Sequence, residues 1–147
     1  MLISQILRSK RPDVVVISPD ATIHSAVGAM VREHVGALVV VDEDQHLLGV
    51  VSEREIIHNL DSNGVDLMGA SVRSVMRTDV PVAALDDSVR SVMEVMTGSR
   101  ARHVPVVAYG RPIGIVSLGD IVKSRLDETI KENNVLQDIA RVHWMTS

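Results

Sequence analysis

The chain has 147 residues, a formal net charge of −4, no cysteine, and 1% aromatic residues: Trp144, Tyr109 and no Phe. The lack of cysteine excludes disulfides and thiolate metal sites. The scarcity of rings and the negative charge argue against nucleic-acid binding, which uses aromatic stacking platforms and a basic phosphate footprint. Hydrophobic residues make up 46%, and a chain of this size buries roughly 70% of its unfolded surface, so the sequence predicts one compact domain or two very small ones with a core of Val, Ile, Leu, Met and Ala.

The first ten residues are too short and too polar for a secretory leader, and residues 3–7 read as a short helix. Residues 14–17 form an extended Val-rich segment, and Ser18, Pro19 and Asp20 form a turn. Thr22 sits where a helix N-cap belongs, followed by Ile23, Ala26, Val27, Met30 and Val31 at helical spacing. A buried strand is expected at 37–41, a polar turn at 42–45, a second strand at 48–51, and a second helix from Ser52. Residues 61–70, with Asp, Ser, Asn and Gly, read as a linker, and 71–76 as a short helix that restarts the cycle. An extended segment at 80–84 follows, then a turn at 85–87, and Ser88 caps a helix carrying Val89, Val92, Met93 and Met96. Strands are expected at 104–107 and 113–116, with a last helix from Ser117 that runs on toward the C-terminus and breaks at Asn133-Asn134. The longest apolar runs have strand length, far below a membrane span, so a soluble, cytoplasmic protein without membrane contact is expected.

The second half repeats the first. At an offset of 66, Ser25 meets Ser91, Met30 meets Met96, and Val40-Val41 meet Val106-Val107. The turn of the second copy is one residue shorter, after which Gly49-Val50-Val51-Ser52 meets Gly114-Ile115-Val116-Ser117, and Glu55-Ile56 meets Asp120-Ile121. The reading is an α+β fold of two tandem β-α-β-β-α units, with repeat one at 1–60, the linker at 61–70, repeat two at 71–126 and a C-terminal helical extension at 127–147. The extension has no counterpart in the first copy and is expected to pack on its own domain or on a dimer mate.

Each copy closes with Gly-aliphatic-aliphatic-Ser-x-x-acid. Before that stand Gly36-Ala37-Leu38-Val39-Val40-Val41-Asp42 in the first copy and Arg102-His103-Val104-Pro105-Val106-Val107 in the second. This pattern resembles the cystathionine-beta-synthase (CBS) domain, two of which form a Bateman module. The resemblance implies two copies packed about a pseudo-twofold axis, clefts between them for adenosine ligands (AMP, ADP, ATP, S-adenosylmethionine or NAD(H)), and pairing into a homodimer. It implies a regulatory sensor rather than an enzyme, read out by a downstream protein partner that the sequence does not name. The alternative is a ligand-free structural or dimerisation module.

The resemblance also selects residues. Ser52-x-x-Glu55 and Ser117-x-x-Asp120 have capping-box spacing, and in the family the hydroxyl and carboxylate reach phosphate and ribose. A carboxylate can accept both hydrogen bonds of a cis-diol, with charge assistance. Glu55 is one methylene longer than the family's Asp, so Ser117 and Asp120 are the favoured pair. Arg102, within Arg100-Ala101-Arg102-His103, is expected to grip phosphate with two parallel bonds. Arg54 is a second phosphate candidate. The adenine slot is expected among Val16 to Ser18 or Val82 to Ala84, with Ala37, Leu38, Val104 and Pro105 opposite. His24, His46, His58 and His143 show no metal-ligand spacing, and no catalytic cofactor or nucleophile pattern is visible.

Overall fold

The computed structural model describes residues 1–10 and 14–146, with side chains described to residue 142. The chain order is α1 (Ile3–Arg8), β1 (Val16–Ile17), α2 (Ile23–Glu33), β2 (Ala37–Val41), β3 (Leu47–Ser52), α3 (Glu53–Asn63), two 3-10 helices (Gly64–Gly69 and Val72–Ser74), α4 (Val89–Ser99), β4 (His103–Ala108), β5 (Arg111–Ser117) and α5 (Leu118–Thr146). The expected N-caps form: Thr22 Oγ1 accepts from Ser25 N–H at 3.1 Å, and Ser88 Oγ from Ser91 N–H at 3.0 Å. α2 and α4 both end on a residue in the left-handed region, His34 (φ 54°) and Arg100 (φ 57°).

β1 pairs parallel with β2, and β2 antiparallel with β3. β4 and β5 form the second antiparallel pair. The register of each pair shifts at the same point of the repeat, between Val40 and Val41 and between Val106 and Val107. The repeat therefore extends to the irregularities of the sheet. It is incomplete at one place. The extended segment before α4 makes a single parallel bridge, Ala83 to Val106, instead of a strand. Ala83 N–H donates to the Pro105 carbonyl and its own carbonyl accepts from Val107 N–H, each at 2.9 Å. Pro81, two residues earlier, has no N–H to offer a ladder.

The two copies exchange their leading segments. Leu2 bridges Ser88, the cap of α4, and Ser71 bridges Thr22, the cap of α2. The hydrogen bonds match in pairs: Val89 N–H to the Met1 carbonyl and Ile23 N–H to the Ala70 carbonyl, both 2.9 Å; Ile3 N–H to the Asp87 carbonyl at 2.9 Å and Val72 N–H to the Ala21 carbonyl at 2.8 Å. Packing follows. Ile3 and Ile6 of α1 join Val89, Val92, Met96, Val104, Val106, Val116 and Ile121 in one core. Leu67, Val72 and Val75 join Ile23, Ala26, Leu38, Val40 and Val51 in the other. Fully burying a side chain such as Ile3 contributes about 1.5–3 kcal/mol, so each leading segment is a structural part of the opposite half.

The segment 61–70 between the copies is ordered: α3 runs to Asn63, and a 3-10 helix follows because Leu67, 2% exposed, anchors it in the first core. One expectation of local structure is corrected. α5 does not break at Asn133-Asn134 but continues as one helix to Thr146. Asparagine lowers helix propensity without removing a backbone donor, unlike proline. No helix of the described residues is long and apolar enough to cross a membrane.

Candidate functional site

Each copy ends its last strand in a serine that begins a helix. Ser52 pairs with Ala37 and Ser117 with His103 in the strand register. Both junctions are closed by capping boxes. Glu55 Oε2 accepts from Ser52 N–H at 3.1 Å and from the Ser52 hydroxyl, while the Ser52 side chain accepts from Glu55 N–H. Asp120 Oδ2 accepts from Ser117 N–H at 2.8 Å, and Ser117 Oγ accepts from Asp120 N–H at 3.1 Å. The helix start of the first copy is further engaged by the neighbouring turn, since Glu53 N–H donates to the Gly36 carbonyl at 3.0 Å. Leu118 N–H donates to the Arg102 carbonyl at 2.8 Å in the same way.

A cleft of about 800 Å³ opens between the copies at the first junction. One wall is the start of α3, from Ser52 to Glu55, with Ile57 and His58 one turn on. The other wall is the α4–β4 turn, from Ser99 to His103. Gly36, Val50, Arg77 and Val80 complete it. Arg102 and His103 therefore share a cleft with Ser52, Arg54 and Glu55, while Ser117 and Asp120 do not line it.

Four arginines line this cleft: Arg54, Arg77, Arg100 and Arg102, against two glutamates, Glu53 and Glu55. Arg77 is held in place, with Nε 3.1 Å from Asp79 Oδ1 and a guanidinium nitrogen donating to the Ser99 carbonyl at 3.3 Å. Among the described residues, the side chains of Arg54, Arg100 and Arg102 have no ion-pair or hydrogen-bond partner, and all three are exposed. The αL backbone of Arg100 turns the chain at the cleft wall and sets three successive residues, Arg100 to Arg102, along it. His103 is half-buried, and its ring lies over Gly36, with Nε2 3.6 Å from where a Cβ on that glycine would stand. Burial holds the His103 pKa below its usual 6.5, partly opposed by the negative charges of Glu53 and Glu55.

The second junction holds a different arrangement. Lys10, just after α1, places Nζ 2.6 Å from Asp120 Oδ2 and 2.7 Å from the Ile115 carbonyl. Burial alone would raise the pKa of Asp120, but the Lys10 ammonium and the Ser117 N–H hold it below 3.8.

The apolar residues expected around adenine lie in several environments. Leu38 and Val104 are fully buried, Ala37 is 3% exposed, and Pro105 is buried beneath the Ala83 bridge. Val82 is 53% exposed, and Ala84 N–H donates to Asp87 Oδ2 at 2.8 Å. Ser18 is exposed and its hydroxyl accepts from Asp20 N–H at 3.2 Å. The apolar lining of the cleft comes from Val50, Ile57, Val80 and Ala101 instead. Sequence reading missed Val50, Ile57, Val80 and Arg77 as cleft residues, while Ala101 stood inside the basic cluster it singled out. The available signal for Arg77 and Val80 was position, since they lead into the extended segment of the second copy.

His46 comes together with Asp42 and Asp44 at the β2–β3 turn, their ligand atoms all within 4.8 Å. The turn's own bonds account for this grouping: Asp42 Oδ1 accepts the N–H groups of Asp44 and His46, each at 2.9 Å. The side chain of His143 lies outside the described residues.

The family model for the CBS domain matches this chain twice, over residues 3–62 and 72–127. The chain belongs to the CBS domain family. A curated relative from Acidianus ambivalens, a 17.7 kDa protein, is 31% identical over 126 residues, covering 85% of this chain and 73% of its own length. The crystal structure of the CBS-domain containing protein ATU1752 from Agrobacterium tumefaciens is similar at a TM-score of 0.80 and 37% identity, over 84% of this chain and 92% of that one. The CBS domain pair of protein MJ0100, in complex with 5′-methylthioadenosine and S-adenosyl-L-methionine, is similar at a TM-score of 0.75 and 27% identity, over 86% of this chain and 98% of that one. The family match ends at residue 127, so most of α5 is additional to the CBS pair.

Proposed function

We propose that this CBS pair is a regulatory sensor for an adenine nucleotide of the AMP, ADP or ATP type, bound in the cleft between Ser52–Glu55 and Arg100–His103. The observation that carries the reading is the set of arginines Arg54, Arg100 and Arg102, which line one cleft without anionic partners among the described residues. Guanidinium groups match phosphate oxygens bidentately, and here they are already collected from both copies. MJ0100 is in complex with adenosine derivatives at a CBS pair, which supports an adenosine ligand. The charge of this cleft favours a phosphorylated one over the sulfonium cation of S-adenosylmethionine, and NAD(H) fits the same preference through its pyrophosphate.

Binding across the two copies becomes a signal when the ligand prefers one relative arrangement of them, read by a second copy or by another protein. The test is isothermal calorimetry with AMP, ADP, ATP, NAD(H) and S-adenosylmethionine. ATP or ADP is expected to bind more tightly than S-adenosylmethionine. Binding of S-adenosylmethionine alone, or of none of the five, would overturn the reading.

A further inference from the structure

His103 opens β4 on the wall of the cleft, and its ring lies between the two copies. Gly36, in the turn before β2 of the first copy, leaves the space for it. His103 Nε2 is 3.6 Å, and Glu53 Oε1 3.2 Å, from where a Cβ on that glycine would stand. The His103 side chain is half-buried, yet among the described residues it makes no hydrogen bond and no ion pair. No fully buried side-chain nitrogen or oxygen of the described residues lacks a hydrogen-bond partner, so the unbonded ring nitrogens are open to solvent in the cleft that His103 lines.

Charges face the ring from every element packed around it. Glu53 and Glu55 at the start of α3, and Asp120 in α5, favour the imidazolium; Lys10, paired with Asp120 at 2.6 Å, opposes it. Arg100 and Arg102 of its own turn, with Arg54 and Arg77, line the same cleft. Burial outweighs the carboxylates, so the ring is neutral at pH 7. A neutral imidazole offers one donor and one acceptor, whereas phosphate oxygens are acceptors that carry negative charge. Protonation turns the acceptor nitrogen into a second donor, and a charge-assisted bond is about twice as strong as a neutral one. We infer that His103 is the proton-linked residue of this cleft: it takes up a proton as a phosphate group enters, so nucleotide binding tightens as the medium acidifies. This rests on the nucleotide reading of the cleft. The complex then binds more protons than the free protein, and for one linked proton the dissociation constant falls by at most about tenfold for each step of one in pH.

The experiment is calorimetric titration of the full chain with ATP at pH 7, in buffers of different ionisation enthalpy, for the wild type and His103→Gln. The terminal phosphate of ATP itself titrates near about 6, in the same way for both proteins, so the difference between them counts the proton on His103. The wild type is expected to take up more protons per ATP than the variant. Its affinity is expected to gain about 3- to 10-fold over that of the variant between pH 7.5 and 6.5. Adenosine, which has no phosphate, is expected to give no difference between the two proteins. Equal proton uptake with ATP overturns the inference, and so does the same excess with adenosine. A chemical-shift titration of His103 in the wild type, with and without pyrophosphate, covers a variant that loses its cooperative melt. Should ATP not bind at all, the nucleotide reading falls and this second titration decides alone. A raised His103 midpoint with pyrophosphate then upholds the inference, and an unchanged midpoint overturns it.

Discussion

Gly49 stands against the backbone of Arg77 so closely that a Cβ on it would lie 2.4 Å from the Arg77 carbonyl oxygen. That carbonyl accepts from Val50 N–H, and Arg77 N–H donates back to the Val50 carbonyl, both at 2.9 Å. The glycine of the closing motif is therefore the seat for the segment that enters the second repeat and carries Arg77 into the cleft. Gly114, its counterpart, faces the far end of a flexible side chain, with Leu7 Cδ2 2.9 Å from the same constructed position.

Gly49→Ala is expected to be costly and Gly114→Ala mild. At Gly49 the obstacle is backbone, so Arg77 must move and two ladder bonds are lost or stretched, a loss of about 1–3 kcal/mol by overpacking. At Gly114 the Leu7 side chain can change rotamer, for about 1 kcal/mol or less. Urea unfolding of both variants measures the difference, and equal losses would contradict it. Gly49→Ala should also weaken ATP binding, through the displacement of Arg77, whereas Gly114→Ala should not.

Arg102→Ala is expected to weaken ATP binding about 10- to 100-fold, since a charge-assisted hydrogen bond contributes about 1.5–3 kcal/mol. Its effect on stability should be small, because the side chain is exposed and unpartnered among the described residues. Calorimetry paired with thermal melting separates the two quantities. An unchanged affinity would remove Arg102 from the site.

Much of this arrangement was legible in the sequence, and the misses have physical causes. The repeat located the helices, their Thr22 and Ser88 caps, and the serine–acid junctions, because these depend on local spacing and on capping chemistry. The composition of the cleft was not legible, because it joins residues of the two copies that lie far apart in the chain. Nothing in the local pattern of residues 1–10 states that Lys10 meets Asp120, a partner 110 residues away. The adenine-slot residues were chosen for apolar character, which identifies buried positions such as Leu38 and Val104 as readily as cleft walls.

His103 makes stability depend on pH in a defined direction. Its folded pKa lies below the ordinary 6.5, chiefly because burial disfavours the imidazolium. Above pH 6.5 the ring is neutral in both folded and unfolded chains and costs nothing. As pH falls below 6.5 the unfolded chain takes up the proton first, so stability declines until the pH passes the folded pKa. His103→Gln is expected to flatten this part of the stability profile between pH 7 and 5. Parallel profiles for the two proteins in chemical denaturation would refute the assignment.

The end of α5 contributes little to the stability of the pair that the structure describes. Ile121 is 1% exposed and Ser124 7%, so the first turns are packed on the second core. An ion pair of the N-terminal amine with Glu128, at 4.0 Å, is a weak tie. Beyond it Val135, Leu136, Ile139 and Val142 are 56–63% exposed, and a side chain left that open loses little when removed. Truncation after Glu128 is expected to leave the melting temperature within about 2 °C, a shift worth less than about 1 kcal/mol for a domain of this size. The check is thermal melting together with the molar mass in solution. A large drop in melting temperature, accompanied by a halved mass, would show instead that the apolar residues of this helix are covered by a second copy.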